Sequence, residues 1–321
     1  MFIAKMGSLA LALLLTTSLL AQTNATKPYA FSNVKDNFIF SYHGEYNLEA
    51  ALHKDTNASV KAPYKLNHFS YLQVLTVGYK LAQDWSLTTS LEFRYTNKDK
   101  VLFVLDTHKF TRGLVAVTKK NVLREADAGV QLDLGYARRY NDPVYSRGSY
   151  GNDRLNAKLT KNFGKNNASL FAQYLTNDPK FAQIKNTTWR RAVQLVPTIN
   201  IQLTENLTYT FVDDFTLFRM YNDLTVGSHS MIHEMQPAVF TYQFNDKLSV
   251  FASLKYNYAE APIATTNAYD LGYGFGAGYN FLPKLTLTGE VSSDVFASND
   301  HKIISEGALK PKFLLSIDYS L

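Results

Sequence analysis

Residues 269–291 read YDLGYGFGAGYNFLPKLTLTGEV and contain two amphipathic strands joined by a tight turn. Apolar side chains occupy every second position from Tyr269 to Phe281, and Asp270, four glycines and Asn280 fill the positions between them. A period of two places one set on each face of a β-strand. Pro283 marks the turn, after which alternation resumes. The stretch therefore predicts an antiparallel hairpin with one apolar face.

The same turn signal recurs about every forty residues. Tight turns are predicted at 81–84, 118–121, 163–166, 204–206, 244–247 and 281–284, and Leu321 falls one further step along the repeat. Successive hairpins with short connections at one end are typical of a membrane β-barrel. We therefore predict an all-β, transmembrane, antiparallel up-and-down barrel of fourteen strands whose last strand closes onto the first. Strand counts from about 12 to 16 also fit this spacing.

Alternation places the individual strands. We expect them at 37–53, 65–81, 85–97, 107–118, 125–140, 153–162, 168–177, 188–203, 207–221, 231–244, 248–259, 269–281, 285–297 and 311–321. Residues before Arg112 give no clear register to strand four. Regular alternation in strand nine directs Asp213 toward lipid, where a charge is costly, so we expect a β-bulge at Asp213-Asp214. The longer loops are predicted at 54–64, 98–106, 141–152, 178–187, 222–230, 260–268 and 298–310.

The N-terminus predicts an export signal. Lys5 precedes the apolar run LALALLLTTSLL at 9–20, and Ala21 is a small residue suited to cleavage. We expect a signal peptide at 1–21, with cleavage as late as 25, a short periplasmic segment at 22–36 and the barrel at 37–321. An uncleaved signal anchor is the alternative, although the run is short for a spanning helix. Since the chain has 0 cysteines, disulfide frameworks and Cys-based metal sites are excluded.

Composition favours a membrane protein over two other classes. The chain has 21 Tyr and 21 Phe, and aromatic rings are typical of the two lipid–water boundaries of a barrel. The net charge of +6 comes without a run of basic residues, so nucleic acid is not an expected partner. A secreted β-propeller also repeats about every forty residues, but each blade requires four strands where this chain offers two.

The C-terminal strand carries a resemblance to a known class. Apolar side chains stand at Phe313, Leu315, Ile317, Tyr319 and Leu321. This pattern resembles the C-terminal signature of bacterial outer-membrane β-barrel proteins, which their assembly machinery recognises, although the commonest last residue there is Phe. The strand count is similar to that of the monomeric porins and the fatty-acid transporters. The segment before the first strand is too short for the plug domain of the transporters.

This resemblance implies a location and partners. It implies a Gram-negative outer membrane, with both termini and the tight turns in the periplasm and the longer loops outside. The expected partners are outer-membrane lipid, lipopolysaccharide, the barrel assembly machinery and small polar solutes. The outer loops are too short for the long inserted loop of the large trimeric porins, which favours a monomer and leaves any constriction to wall side chains.

Charged residues on the polar face are the candidate pore lining. The basic candidates are Arg94, Arg139, Arg154, Lys158 and Arg190, and the acidic candidates are Glu45, Glu49, Asp270, Glu290, Asp294 and Asp318. Once the barrel closes, the acids gather on one wall and the bases on the other, apart from Glu92, Asp133 and Lys255. Such a transverse field favours small polar solutes. Alternatively, the charges pair across the lumen and plug it, or are merely solvated.

Gly272, Gly274, Gly276 and Gly278 fall on the same polar face. They leave room for a solute or for bulky side chains from the facing wall, or they permit strong local curvature. Aromatic residues alternate with them and no helix follows, so the run does not match a phosphate-binding loop.

Signals for an enzyme are weak. We predict no catalytic residues, no metal site and no cofactor. Ser228 and His229 are adjacent only in sequence, which does not indicate a nucleophile and base. Neighbouring His and Glu residues at 43 and 45 and at 233 and 234 are short motifs for a metal site. The sequence thus predicts a porin-like channel for small hydrophilic solutes. The alternatives are a non-conducting barrel that anchors the membrane or presents its loops for binding, and an outer-membrane lipase or protease.

Overall fold

A computed structural model describes residues 37–50, 67–82, 84–97, 110–142, 150–177, 189–220, 229–260, 268–299, 302–306 and 312–320. The predicted signal peptide, the segment 22–36, the residue Leu321 and most of the predicted longer loops lie outside the described residues. No helix in the described ranges is long and apolar enough to cross a membrane.

The described chain forms one antiparallel sheet that closes on itself. Its strands are β1 (Phe38–Ala50), β2 (Asn67–Ala82), β3 (Trp85–Asn97), β4 (Phe110–Leu123), β5 (Gln131–Asp142), β6 (Tyr150–Phe163), β7 (Asn166–Asn177), β8 (Trp189–Gln202), β9 (Leu207–Met220), β10 (His229–Gln243), β11 (Leu248–Ala259), β12 (Ala268–Leu282), β13 (Leu285–Asn299), β14 (Lys302–Glu306) and β15 (Lys312–Ser320). Each wall strand pairs with its neighbours along the chain, and β1 pairs with β15 to close the barrel. The predicted transmembrane up-and-down barrel of fourteen wall strands is confirmed.

One strand, β14, is additional to the fourteen of the wall and lies in a predicted loop. β14 is five residues long and pairs with the end of β13, within the span 298–310 that was expected to be a loop. The wall continues from β13 directly to β15. The short strand therefore extends a hairpin beyond the wall without changing the strand count of the barrel.

One face of the sheet carries the exposed large apolar side chains. They include Leu134, Leu155, Leu170, Val193, Leu217, Phe240, Leu254, Phe275, Val291 and Phe313. In a transmembrane barrel the apolar face meets lipid, so we call this the outer face and the opposite one the inner face. Near the tight turns, the ring pairs Tyr242–Phe244 and Tyr279–Phe281 lie edge to face with centroids 4.9 and 5.0 Å apart. Aromatic rings at this level match the interfacial girdle of membrane barrels.

The connection between β4 and β5 differs from the prediction. β4 continues to Leu123, and the turn consists of a helix, α1 (Glu125–Ala128), instead of the tight turn expected at 118–121. The ladder is irregular between Lys119 and Leu123, and Asn121 has a positive φ of 53°. Asp84 in the preceding turn holds this irregular segment, because its Oδ1 accepts a hydrogen bond of 3.0 Å from Asn121 Nδ2. Strand five consequently begins at Gln131 and not at 125.

The bulge expected at Asp213-Asp214 lies on the neighbouring strand. β9 keeps one register across these two residues, whereas the register of β10 shifts by one between Gln236 and Val239. Pro237 lies within this shift, where its missing N–H costs no ladder hydrogen bond. Asp213 therefore stays on the outer face, where its Oδ1 lies 2.5 Å from His233 Nε2.

Candidate functional site

The inner face carries most of the predicted charged residues. By register, Glu45, Arg139, Arg154, Lys158, Asp270, Glu290 and Asp318 all lie opposite the exposed apolar face. The side chains of Glu49, Arg94 and Asp294 lie outside the described residues. Arg190 is exposed and lies where the pairing of β8 with β9 shifts, so alternation does not fix its face.

Guanidinium groups from neighbouring strands converge on one carboxylate. Glu92 on β3 accepts from Arg112 on β4 at 3.1 Å, and its second oxygen lies 3.5 Å from Arg139 Nη2 on β5. Arg154 on β6 lines the same cavity of about 320 Å³, and its Nε donates to Asn152 at 2.8 Å. Among the described side chains, three cations thus face one anion at this point of the wall.

We call Glu92, Arg112, Arg139 and Arg154 the basic cluster. Two of its members, Glu92 and Arg112, were not among the candidates predicted from the sequence. Arg112 lies on the strand whose register the sequence left open, and the β3–β4 ladder places it directly opposite Glu92. Glu92 was an exception on the basic wall, and it is the residue that the arginines surround. The sequence does show an acidic residue, Glu92, and a basic residue, Arg112, on two consecutive strands. Only the pairing of β3 with β4 shows that the two lie directly opposite each other.

Carboxylates occupy the inner face from β9 to β1. Asp214 lies directly opposite Glu234, and the same register row reaches Asp270 on β12. Gln194 donates to both oxygens of Asp214 at 3.0 and 2.8 Å, and Asn257 donates to Asp270 at 2.6 Å. Asp214 and Glu234 were not among the acidic candidates predicted from the sequence.

Lys255 and His43 lie among these carboxylates. Lys255 on β11 forms an ion pair with Glu290 on β13. His43 on β1 lies 2.6 Å from Asp318 on β15 and 3.1 Å from Glu45 on its own strand. These contacts lie within one strand, between adjacent strands or one strand apart, so they run along the wall and not across the lumen. The acidic arc consists of Asp214, Glu234, Asp270, Glu290, Asp318 and Glu45.

The two charged regions stand on opposite sides of the barrel. The basic cluster is centred on β5. Among the fourteen wall strands, β12 lies seven strands from β5 in either direction, and it is the middle of the acidic arc. Inner-face residues of opposite sign therefore stand on opposite walls of the barrel.

The space beside the inner-face glycines is occupied by neighbouring strands. A Cβ at Gly276 would overlap the ring of Phe251 on β11, and one at Gly274 would lie 2.5 Å from Glu290 Oε1 and 2.8 Å from Ser253 Oγ. The groups that fill this space come from β11 and β13, and not from the facing wall.

The weak enzymatic signals do not come together. His229 is exposed, whereas Ser230, its neighbour, is buried and donates to the Glu260 carbonyl oxygen at 2.6 Å. Ser228 lies outside the described residues. His233 and Glu234 point to opposite faces of β10, since successive residues of a strand alternate. Within the described ranges, no three His, Asp or Glu side chains are grouped so that they could hold a metal ion.

Comparison with solved structures returned several outer-membrane channels. An outer membrane channel from Pseudomonas putida F1 has a TM-score of 0.42 and 12% identity, over 89% of this chain and 95% of that one. The outer membrane channel DcaP of Acinetobacter baumannii has a TM-score of 0.49 and 10% identity, over 89% and 96%. A mutant of the TodX monoaromatic hydrocarbon channel has a TM-score of 0.45 and 10% identity, over 88% of each chain. No protein-family model matches the sequence, and no curated protein matches it significantly.

Proposed function

We propose that this protein is an outer-membrane channel through which small hydrophilic solutes diffuse passively, in a field set by wall charges. The observation that carries the proposal is the opposition of the basic cluster on β3–β6 to the acidic arc centred on β12. Maintaining like charges on one wall is unfavourable unless water screens them, which argues for an aqueous lumen. A barrel meant only as an anchor gains nothing from this separation.

The mechanism requires no chemistry. A polar solute aligns its dipole with the transverse field, and its charged groups exchange water for wall side chains as it passes. Size is limited by the side chains that project from the wall. Near the basic cluster, three guanidinium groups around one carboxylate favour anions over cations of the same size.

The proposal is tested by conductance of the refolded protein in a planar bilayer with a salt gradient across it. We expect steady conductance, together with a reversal potential whose sign shows which charged region dominates. A barrel that is folded, as judged by its heat-modifiable migration in a gel, yet electrically silent would overturn the channel and favour an anchor. Hydrolysis of phospholipid by such a silent barrel would favour an enzyme instead.

A further inference from the structure

A row of basic side chains lies on the outer face, at the long-loop ends of β8, β9 and β10. Arg191 pairs directly with Arg219, and Arg219 pairs directly with His229. All three side chains are exposed. Directly opposed residues of an antiparallel pair have Cβ atoms roughly 5 Å apart, so two full positive charges are held side by side.

The same register row contains a neutralised arginine further round the barrel. It continues from Arg191 through Thr176 and Asp153 to Arg138. There, Arg138 Nη1 lies 2.6 Å from Asp153 Oδ2, and the Tyr136 hydroxyl donates to Asp153 Oδ1 at 2.6 Å. Arg191 and Arg219 form no ion pair with a carboxylate of the described residues. Since like charges directly opposite destabilise a sheet, an anion bound between Arg191 and Arg219 would relieve their repulsion.

The level of the row identifies the environment of that anion. Val193 and Leu217 each lie two positions from Arg191 and Arg219, on the side of the tight turns. They expose 43% and 41% of their surface on the same face. The row therefore marks the place where the apolar band ends. In barrels of this type the long loops face the cell exterior, so this boundary meets the head groups of the outer leaflet.

We propose that Arg191, Arg219 and His229 form a binding site for a phosphate group on the head group of an outer-leaflet lipid. Guanidinium groups bind phosphate with two parallel hydrogen bonds, and Arg191 and Arg219 present two such groups from adjacent strands. The hydrocarbon chains of the same lipid would lie along the apolar band below. This site rests on the outer-membrane location proposed above but not on conduction.

The test compares binding of two probes to the refolded full-length protein in neutral detergent. The probes are a bisphosphorylated glucosamine-based lipid (lipid A) and the same lipid without phosphates. We expect Arg191→Gln/Arg219→Gln to lower the affinity for the phosphorylated probe by about tenfold or more, because charge-assisted hydrogen bonds are lost. Lys120→Gln/Lys165→Gln removes the same charge from exposed positions at the tight-turn end and should leave the affinity unchanged.

A second variant separates lipid binding from folding. Arg219→Glu places a carboxylate opposite Arg191, as Asp153 stands opposite Arg138, so the barrel should fold at least as stably while losing the phosphorylated probe. Wild-type affinity in either variant would overturn the proposal, as would equal binding of the unphosphorylated lipid. Saturable binding of inorganic phosphate alone, with an affinity equal to that of the lipid, would also overturn it, since the site would then serve free anions.

Discussion

Gly276 shows how one missing side chain allows two strands to pack. It lies opposite Phe251 on β11, and the Phe251 ring occupies the place where a Cβ would stand. The carbonyl oxygen of Gly289 lies 2.5 Å from the same point. Gly289 differs, because a Cβ there meets nothing within 4 Å. Glycine is thus required at position 276 on β12 but not at position 289 on β13.

We predict that Gly276→Ala lowers the free energy of unfolding by about 1–3 kcal/mol, because the backbone carbonyl of Gly289 cannot move away without shifting the ladder. The control Gly289→Ala should leave stability unchanged or raise it slightly, since it restricts the unfolded chain. Urea unfolding in lipid vesicles, followed by the fluorescence of the two tryptophans, measures both. Equal effects of the two substitutions would contradict the packing argument.

The Asp213–His233 contact is a polar pair on the outer face. The two side chains lie near the middle of β9 and β10, and their exposures are 26% and 25%. The rings of Phe215 and Tyr256 flank the imidazole edge to face, at 5.9 and 5.5 Å. The His233 imidazole gives the Asp213 carboxylate a hydrogen-bonding partner, which lowers the cost of placing it at this depth.

We predict that His233→Leu lowers the free energy of unfolding by about 2 kcal/mol or more, because it leaves the Asp213 carboxylate without its partner in an apolar surrounding. The double change Asp213→Leu/His233→Leu should recover that loss, since two apolar side chains suit the lipid-facing surface. The same urea experiment measures both variants. A double variant as unstable as the single one would show that the pair itself stabilises the barrel.

At the scale of elements, the turn that contains α1 is fixed by two carboxylates. Asp84 accepts from Asn121, and Glu125 accepts from the backbone N–H of Asn162 at 2.7 Å and from its side chain at 2.5 Å. The hydrogen bond from Asn121 holds the pKa of Asp84 below its usual range, and the backbone N–H of Asn162 does the same for the pKa of Glu125. Each carboxylate ties its own turn to the next hairpin.

These lowered pKa values predict that the barrel loses stability in acid. Above the unfolded-state pKa of about 4, both carboxylates are ionised and their contribution is complete. It decreases as the pH falls through the lower folded-state pKa, because protonation weakens each acceptor. The urea midpoint should therefore fall between pH 6 and pH 3.

Glu125→Gln should flatten that pH dependence, whereas Asp127→Asn on the same helix should keep it, since the Asp127 side chain forms no hydrogen bond with a described residue. An unchanged slope in Glu125→Gln would show that the turn does not sense pH through this carboxylate.

At the scale of the whole molecule, closure of the barrel decides which charged walls face each other. Pairing of β15 with β1 brings Asp318 beside His43 and Glu45, on the side away from the arginines. Only a closed wall has two opposite sides, so the transverse field that we propose requires the complete barrel. The predicted ion selectivity follows from that geometry.

We predict that Arg139, Arg154 and Lys158 changed together to Glu reverse or strongly reduce any preference for anions, because the basic side of the lumen then becomes acidic. The reversal potential under a salt gradient measures the preference. The charge-matched control changes Lys120, Lys165 and Lys284 to Glu, all exposed at the tight-turn end of the barrel. If the wall triple keeps the wild-type selectivity, these side chains do not line the conducting path.

The differences between prediction and structure have local causes. Regular strands were predicted closely, because alternation alone marks them. The bounds of β3 were predicted exactly, and those of β12 within one residue at each end. β4 failed because its irregular segment depends on Asp84, which lies in another hairpin. The bulge was assigned to Asp213 on grounds of charge, whereas Pro237, which lacks an N–H, decided its place on β10.

The sequence by itself determined the barrel, its wall strands and the face on which most charged residues lie, since a period of two and recurrent turns are local properties of the chain. Only the tertiary structure decided which of those charges meet. Arg112 and Arg139 reach Glu92 through ladders whose register depends on turns and bulges elsewhere, and a shift of one residue moves a side chain to the other face. The basic cluster, the acidic arc and the outer row of arginines are all consequences of that register.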